Sequence, residues 1–178
     1  MQTLYAQDMP LAKAGLVADS RLVKDTISRL AEDAAGARAG TLVVRGTDAE
    51  VQAVAPTVAP TNFTALGVVE LDSSKEPAAT AAAKAADNEY DVEQALPILR
   101  VGRIWVLCDA TATITAGSAA FVRHVAAGAE VLGAFRQDAD GTDAAQLTNA
   151  MFVSGHKDVN FQGDTQRIAL LELNLPQA

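Results

Sequence analysis

The residues best suited to acid–base chemistry in this sequence are its two histidines, His124 and His156. His156 stands in the segment Ser154-Gly155-His156-Lys157-Asp158, which contains the nucleophile, base and acid types that a hydrolytic triad requires. The members of a triad usually come from separate elements of a fold, whereas these three are nearly adjacent in the chain. His124 follows Val122-Arg123 in a predicted strand, a position typical of a histidine that lines a surface or a pocket. Neither histidine is therefore predicted to be catalytic.

Metal and phosphate sites have little support in the sequence. It contains no His-x-His or His-Glu-x-x-His motif, no calcium-loop spacing and no glycine-rich phosphate loop. An acidic cluster, Asp138, Asp140 and Asp143, could hold calcium, but its Asp-Gly pair favours a solvated hairpin turn. We predict no catalytic residue, no metal, no cofactor and no enzymatic activity. A small hydrolase that uses scattered carboxylates stays open, because such pairs have no fixed spacing in sequence.

Composition excludes several classes of partner. The chain has 178 residues, of which 49% are hydrophobic and 4% aromatic, and its formal net charge is −8. Nucleic acid and anionic membranes attract proteins of the opposite charge, so neither is an expected partner. No apolar stretch reaches the roughly 18 residues that a membrane helix needs. The first residues also lack the basic start and apolar block of a signal peptide, so we expect a soluble protein made in a cytoplasm.

The few large side chains indicate where the core lies. Five rings fall mostly inside predicted strands, and Trp105 among them is expected to be in the core: Phe63, Trp105, Phe121, Phe135 and Phe152. Cys108 ends the apolar run 104–108 and is expected to be a buried, inert thiol. Because most of the packing must come from alanine and aliphatic residues, the core is expected to be thin. Neighbouring subunits are therefore expected to complete part of the apolar burial.

Most of the sequence predicts β-structure. From residue 40, β-branched and aliphatic segments recur roughly every 8–12 residues between Gly, Pro and Asp turns. The predicted strands are 41–45, 50–54, 63–70, 104–107, 111–115, 120–125, 130–135 and 171–175, with a turn at 100–103. The predicted fold class is mainly β, an antiparallel β-sandwich or barrel with an extended N-terminal arm and one or two short helices.

Three segments differ from this pattern. Residues 1–20 are apolar without a period and are predicted to form an extended arm, packed on its own domain or on a neighbouring subunit. Residues 21–35 have helical spacing and are predicted as a helix, although Thr26-Ile27-Ser28-Arg29-Leu30 could equally be a strand. Residues 72–88 form an alanine-rich surface insertion, either helical or mobile. Residues 21–178 are thus predicted to be a single β-rich domain.

Six short segments, in chain order, carry a resemblance to a known family. They are AGLVADS (14–20), GTLVVRGT (40–47), FTALGVV (63–69), LPILRVGRIWV (96–106), TAGSAAFV (115–122) and LLELNLP (170–176). Together they resemble the structural cement, or head decoration, proteins of tailed phages over nearly the whole chain. Ser118 stands where the family pattern usually has an acid, and the alanine-rich stretch is longer than the family's loop.

The resemblance implies a non-enzymatic virion protein, made in the host bacterial cytoplasm and bound to the outer surface of the assembled head. It implies the major capsid protein as a partner and self-association as a homodimer or homotrimer. We expect the N-terminal arm to be a main contact element, through Leu4, Tyr5, Met9, Leu11 and Leu16.

The alternative function is a glycan-binding, adhesin-type β module on a virion or cell surface. Such modules present exposed aromatic rings, and the sequence offers few candidates: Tyr5, Tyr90 and Phe161. The scarcity of aromatic residues weakens this alternative and the hydrolase alike.

Overall fold

A computed structural model describes residues 12–18, 24–32, 37–71, 89–128, 130–161 and 164–175. These residues form twelve strands: β1 (Asp25–Ala31), β2 (Ala37–Arg38), β3 (Leu42–Arg45), β4 (Gln52–Val54), β5 (Ala65–Val69), β6 (Glu89–Tyr90), β7 (Ala95–Leu107), β8 (Ala119–Arg123), β9 (Phe135–Arg136), β10 (Ala144–Phe152), β11 (Lys157–Phe161) and β12 (Asp164–Asn174). The predicted β class is confirmed, and the described part of the chain contains no helix.

Ten of the strands form one sheet that closes on itself. The sheet runs in the order β1-β4-β3-β5-β7-β12-β10-β8-β9, β11 pairs with β12, and β1 pairs with β7 as well as with β4. Strands β1, β4, β3, β5 and β7 therefore form a closed, barrel-like ring, in which only the β1–β4 pair is parallel. A second ring runs from β7 through β12, β10, β8 and β9. It returns through a bridge between Phe135 and Cys108, directly after β7.

The long strand β7 belongs to both rings. Its first half, up to Val101, pairs with β1, whereas its second half, from Val101 to Leu107, pairs with β12. Gly102 lies between the halves at φ 137°, a conformation that glycine adopts without the steric cost of a side chain. The turn predicted at 100–103 is therefore wrong: the glycine lies within a continuous strand at the point where its partner changes.

The wall that separates the two rings is apolar on both faces. Along β5, Leu66 and Val69 contact a core inside the first ring, whereas Ala65 and Val68 contact the larger core of the second ring. All five residues of β5 are buried, since neither face reaches water. The interior is thus divided into two narrow cores, one within each ring of strands. Side chains of Ala, Val, Leu and Ile are large enough to fill them, so few aromatic residues are needed.

The helix predicted over 21–35 is wrong where the chain is described, and the strand alternative is correct. Asp25–Ala31 is a strand whose residues alternate between half-buried and exposed positions until Ala31 is buried. Thr26 and Ile27 are β-branched and favour such a surface. The alanine-rich segment 72–88 lies outside the described residues.

Two of the five large aromatic side chains do not lie where the sequence predicts them. Phe135 and Phe152 are fully buried in β9 and β10, and Phe121 is half-buried in β8. Trp105 lies in β7 but is only half-buried, because it contacts a small peripheral cluster instead of the core of either strand ring. Phe63 lies in a turn that precedes β5, and 82% of its surface is exposed.

Candidate contact surfaces

The described end of the predicted arm pairs with the chain's own sheet. Gly15 N donates to Trp105 O at 2.7 Å, Trp105 N donates to Leu16 O at 2.9 Å, and Val17 forms a bridge with Ile104. This contact places one more extended segment along β7. Residues 12–18 therefore pack on their own domain.

Two glycines make this close packing possible. Gly15 and Gly40 both adopt φ 84°, and a Cβ added at either one would lie within 3 Å of atoms near the other. The two glycines open the first two family-like segments of the sequence, AGLVADS and GTLVVRGT. Their shared role is to let the arm approach the loop before β3.

Of the five predicted contact residues, only Leu16 lies in the described part of the chain. Its side chain is 41% exposed, whereas the nearby Ala12 and Ala14 are buried against Leu107 and Ile168. Leu16 is thus available at the surface on a segment whose backbone is fixed. Leu4, Tyr5, Met9 and Leu11 lie outside the described residues.

Trp105 forms a second surface feature beside this segment. Its side chain packs, as do Val131 and Val159, against the small buried cluster that includes Leu107 and Ile168, and Lys157 Nζ lies 5.9 Å from the ring centroid. At that distance a lysine ammonium and an indole attract each other electrostatically. Trp105 therefore couples β7 to β11 instead of filling a core.

The acidic cluster forms ion pairs with two buried arginines. Asp109, fully buried, accepts hydrogen bonds through Oδ2 from Arg123 Nε at 2.8 Å and Arg136 Nη1 at 3.1 Å. The same guanidinium groups bond to Asp140 Oδ2 at 2.5 and 2.6 Å. Asp138 accepts a further bond from Arg136. Asp143 Oδ2 lies 3.9 Å from Arg123 Nη1, so all three predicted turn aspartates pair with arginine, and the network fastens the 138–143 turn to β8 and β9.

Burial and ion pairing shift the pKa values of the acids of this network in opposite directions. Burial raises the pKa of Asp109 above its ordinary value, although the hydrogen bond from Arg123 partly counteracts it. The more exposed Asp140 has a lowered pKa, because Arg123 donates a hydrogen bond to its carboxylate. The network joins one buried acid and several more exposed acids to the same two arginines, and so has the character of a structural clamp.

The Ser154, His156 and Asp158 side chains do not form a triad. Ile114 N donates to His156 Nδ1 at 3.0 Å, and Leu170 N donates to Ser154 Oγ at 3.0 Å. Asp158 forms a two-point ion pair with Arg167 at 2.7 and 3.0 Å, which lowers its pKa. Each side chain thus has its own partner outside this segment: Ile114 for His156, and residues of β12 for Ser154 and Asp158.

Other groups that could react or bind are accounted for as follows. Cys108 is buried, as expected, and burial raises the pKa of its thiol. Tyr90, a candidate for an exposed sugar-binding ring, is instead buried, and its hydroxyl donates to Glu70 O at 2.8 Å. Within the described ranges, no group of three His, Cys, Asp or Glu residues could hold a metal ion. Nor does any helix in that part of the chain have the length and apolar character to cross a membrane.

A surface that the sequence reasoning missed surrounds Phe63. Phe63 is 82% exposed and Val58 71% exposed, on the loop 55–64 that leads into β5. Asn62 Nδ2 donates to Thr148 Oγ1 on β10, the strand that also carries Met151, itself 49% exposed. We call Val58, Phe63 and Met151, with the Asn62–Thr148 bridge, the Phe63 surface. The signal that could have found it is the pair of threonines, Thr61 and Thr64, around Phe63, because such residues favour turns over strands.

Comparison with known proteins relates this architecture to others. Residues 1–174 match the model of a family described as "Structural cement protein (E217 gp24/Pam3 gp6)". A chain of the solved structure "The capsid of Myoviridae Phage XM1" has a similar fold, with a TM-score of 0.65 and 13% sequence identity. That similarity covers 98% of each chain. No curated protein matches the sequence.

Proposed function

Since this chain belongs to the structural cement protein family, we propose that it binds the outer surface of an assembled phage head and stabilises contacts between major capsid protein subunits. Its role in the virion is structural and associated with the capsid. The observation that carries the proposal is the extent of the family match, which covers residues 1–174 and includes all the described elements.

The electrostatics favour the outside of the shell over the inside. A formal net charge of −8 gives the protein the same sign as DNA, so packaged DNA would repel it. The same charge keeps free copies apart before they meet a head. We therefore place the protein on the outer surface.

The fold suits a part that transmits force between neighbours. Two closed rings share β7 and the apolar wall beside it, so a load applied to one ring passes directly to the other. Packed cores of this kind deform little. Bound across two capsid subunits, such a body would resist their separation, and many weak contacts repeated by symmetry would add up through avidity.

We further propose that the N-terminal arm is a contact element, through Leu4, Tyr5, Met9, Leu11 and Leu16, and that the protein works as a homodimer or homotrimer. Leu16 supports the arm's role, because its side chain is exposed while the backbone beside it is held on β7. In this proposal the chain has no catalytic activity and binds neither nucleic acid nor membrane.

The proposal is tested by co-sedimentation of the purified protein with expanded, empty heads that lack it. We expect saturable binding, and decorated heads should withstand higher temperature than bare heads before they release capsid protein. Absence of binding, or binding without any change in head stability, would contradict the proposal.

The arm is tested separately by deletion of residues 1–11. This deletion keeps Ala12 and Ala14, which are buried against Leu107 and Ile168, so the domain should fold with an unchanged unfolding temperature. We expect the shortened protein to bind heads more weakly. Undiminished occupancy of the heads would remove the arm from the contact.

A further inference from the structure

The Phe63 surface presents an aromatic ring to water on a rigid turn. Thr61 N donates to Thr64 Oγ1 at 2.8 Å, Thr64 N donates to Thr61 Oγ1 at 3.2 Å, and Ala65 N donates to Thr61 O at 2.9 Å. The Asn62–Thr148 hydrogen bond fastens the same turn to β10. A turn held in place in this way loses little backbone freedom on binding, so burial of the ring that it carries contributes more to affinity.

The segments that carry this surface contain no charged residue, although the protein is strongly acidic. Residues 51–69 contain no Asp, Glu, Lys or Arg, the longest such run in the chain, and residues 144–156 contain none either. The Asn62–Thr148 bridge joins these two runs in space. A third uncharged run, 110–122, reaches them where Ala119 pairs with Met151. The centres of protein interfaces are likewise depleted of charge and enriched in aromatic residues and methionine.

Two other exposed apolar side chains, those of Val92 and Val51, have different surroundings. Val92, 47% exposed, stands between Asp91 and Glu93, and Val51, 44% exposed, follows Glu50. A solvated charge beside an apolar side chain must be desolvated if that side chain is buried by a partner, which costs free energy. Phe63 has no charged neighbour in sequence, since Asn62 and Thr64 flank it. Arg45 approaches this turn through its backbone, where its N donates to Thr64 O at 3.3 Å, while its guanidinium donates to Ala49 O.

The size of the surface indicates which partner covers it. A stable interface between two free proteins needs about 800 Å² from each partner. One aromatic side chain buries roughly 150–250 Å², so Phe63 with two smaller side chains falls well short of that area. A contact this small is too weak for a free dimer of this chain. It is sufficient where many copies bind one assembled shell and other contacts hold each copy in place.

We infer that the Phe63 surface docks on the major capsid protein, with the Phe63 ring inserted into an uncharged, apolar pocket of that protein. The inference rests on the proposed function and adds a second contact, on the 55–64 loop and β10, to the one proposed for the N-terminal arm. In the bound state the Phe63 ring would be buried at the centre of the contact, with neutral polar groups around it.

A photo-crosslinking experiment identifies what covers the ring. Benzoylphenylalanine is placed at position 63, the protein is bound to expanded heads, and the sample is irradiated. We expect a crosslink to the major capsid protein, and none from a control protein that carries the same group at position 92. A crosslink to a second copy of this chain, or no crosslink from position 63 on occupied heads, overturns the inference.

Substitution measures the strength of the contact. Phe63→Ser should weaken head binding roughly 10- to 100-fold, the loss expected from one buried aromatic side chain, with no fall in unfolding temperature because the ring is exposed in the free protein. Val92→Ser is the matched control and should bind as the wild type does. If the wild type binds heads and Phe63→Ser binds equally well, the inference fails and the proposed function stands. If the wild type itself does not bind, the proposed function fails and the inference with it.

Discussion

Removal of the Asp109 carboxylate should destabilise the protein more than removal of any other acid that pairs with Arg123 or Arg136. Asp109 is fully buried, and it balances the charge of Arg123, whose side chain is 1% exposed. In Asp109→Ala, the Arg123 guanidinium stays in the interior with only the more exposed acids as partners. Loss of one partner from a buried ion pair typically costs about 3–5 kcal/mol.

The expected loss of unfolding free energy can be converted into a fall in melting temperature. For a protein of this length, each kcal/mol shifts the unfolding midpoint by about 2–4 °C, so Asp109→Ala should lower it by about 6–20 °C. Denaturant titration at pH 7 gives the free energy of unfolding directly. Asp138→Ala is the matched control, since Asp138 is 59% exposed and pairs with Arg136 at the surface. It should cost less than about 1 kcal/mol.

A double substitution separates the ion pair from simple loss of packing. Asp109→Leu together with Arg123→Leu removes both charges, and it should be less destabilising than Asp109→Leu alone, because no uncompensated charge stays buried. The reasoning is refuted if Asp109→Ala costs no more than Asp138→Ala. It is also refuted if the double variant is less stable than the single variant by the full cost of Arg123→Leu.

Three further outcomes test other parts of the structure. Gly15→Ala should destabilise by more than the roughly 1–2 kcal/mol of a left-handed alanine, since its Cβ would lie 2.7 Å from Leu71 N. Gly117→Ala, at φ 83° with open space around it, should cost only that amount. Asp158 has a lowered pKa through its bond to Arg167, so the stability that it contributes is complete above about pH 4 and is lost in stronger acid. Asp158→Asn should therefore flatten the fall of unfolding temperature below about pH 4. Cys108 should react with a thiol reagent only as fast as the protein unfolds, because burial raises its pKa; fast labelling of the native protein would contradict this.

The β class could be predicted from the sequence because strand signals are local. Alternating residues such as Leu171, Glu172 and Leu173 place one side chain inward and the next outward, and β12 shows this alternation. Closure of the rings is different, since it depends on β1 meeting β7 nearly seventy residues later in the chain. No local pattern encodes such a pairing. Gly102 illustrates the difficulty, because a glycine inside a strand and a glycine in a turn have the same sequence signal.

The exposure of the large aromatic side chains is harder to predict from the sequence than the fold class, for a related reason. Apolar character suggested burial for Phe63 and Trp105, and the same character suggested a partner for the N-terminal residues. In the structure, Trp105 is half-buried at the periphery and Phe63 is exposed. Hydrophobicity alone does not distinguish a core side chain from an interface side chain, because both are stabilised by loss of contact with water. Only the local hydrogen bonds, such as those of Thr61 and Thr64, separate the two cases.

The expectation that partners complete a thin core takes a more specific form in the structure. Each ring is narrow enough for small aliphatic side chains to fill it, so neither core needs a neighbouring subunit to exclude water. Among the described residues, what remains for partners is a set of exposed apolar side chains, and the largest of them, Phe63, lies where three uncharged runs of sequence meet. In the proposed function, an acidic protein that approaches a large assembly benefits from this arrangement, because the segments that carry Phe63 hold no charge. Their side chains can then be buried without desolvating an ion of their own.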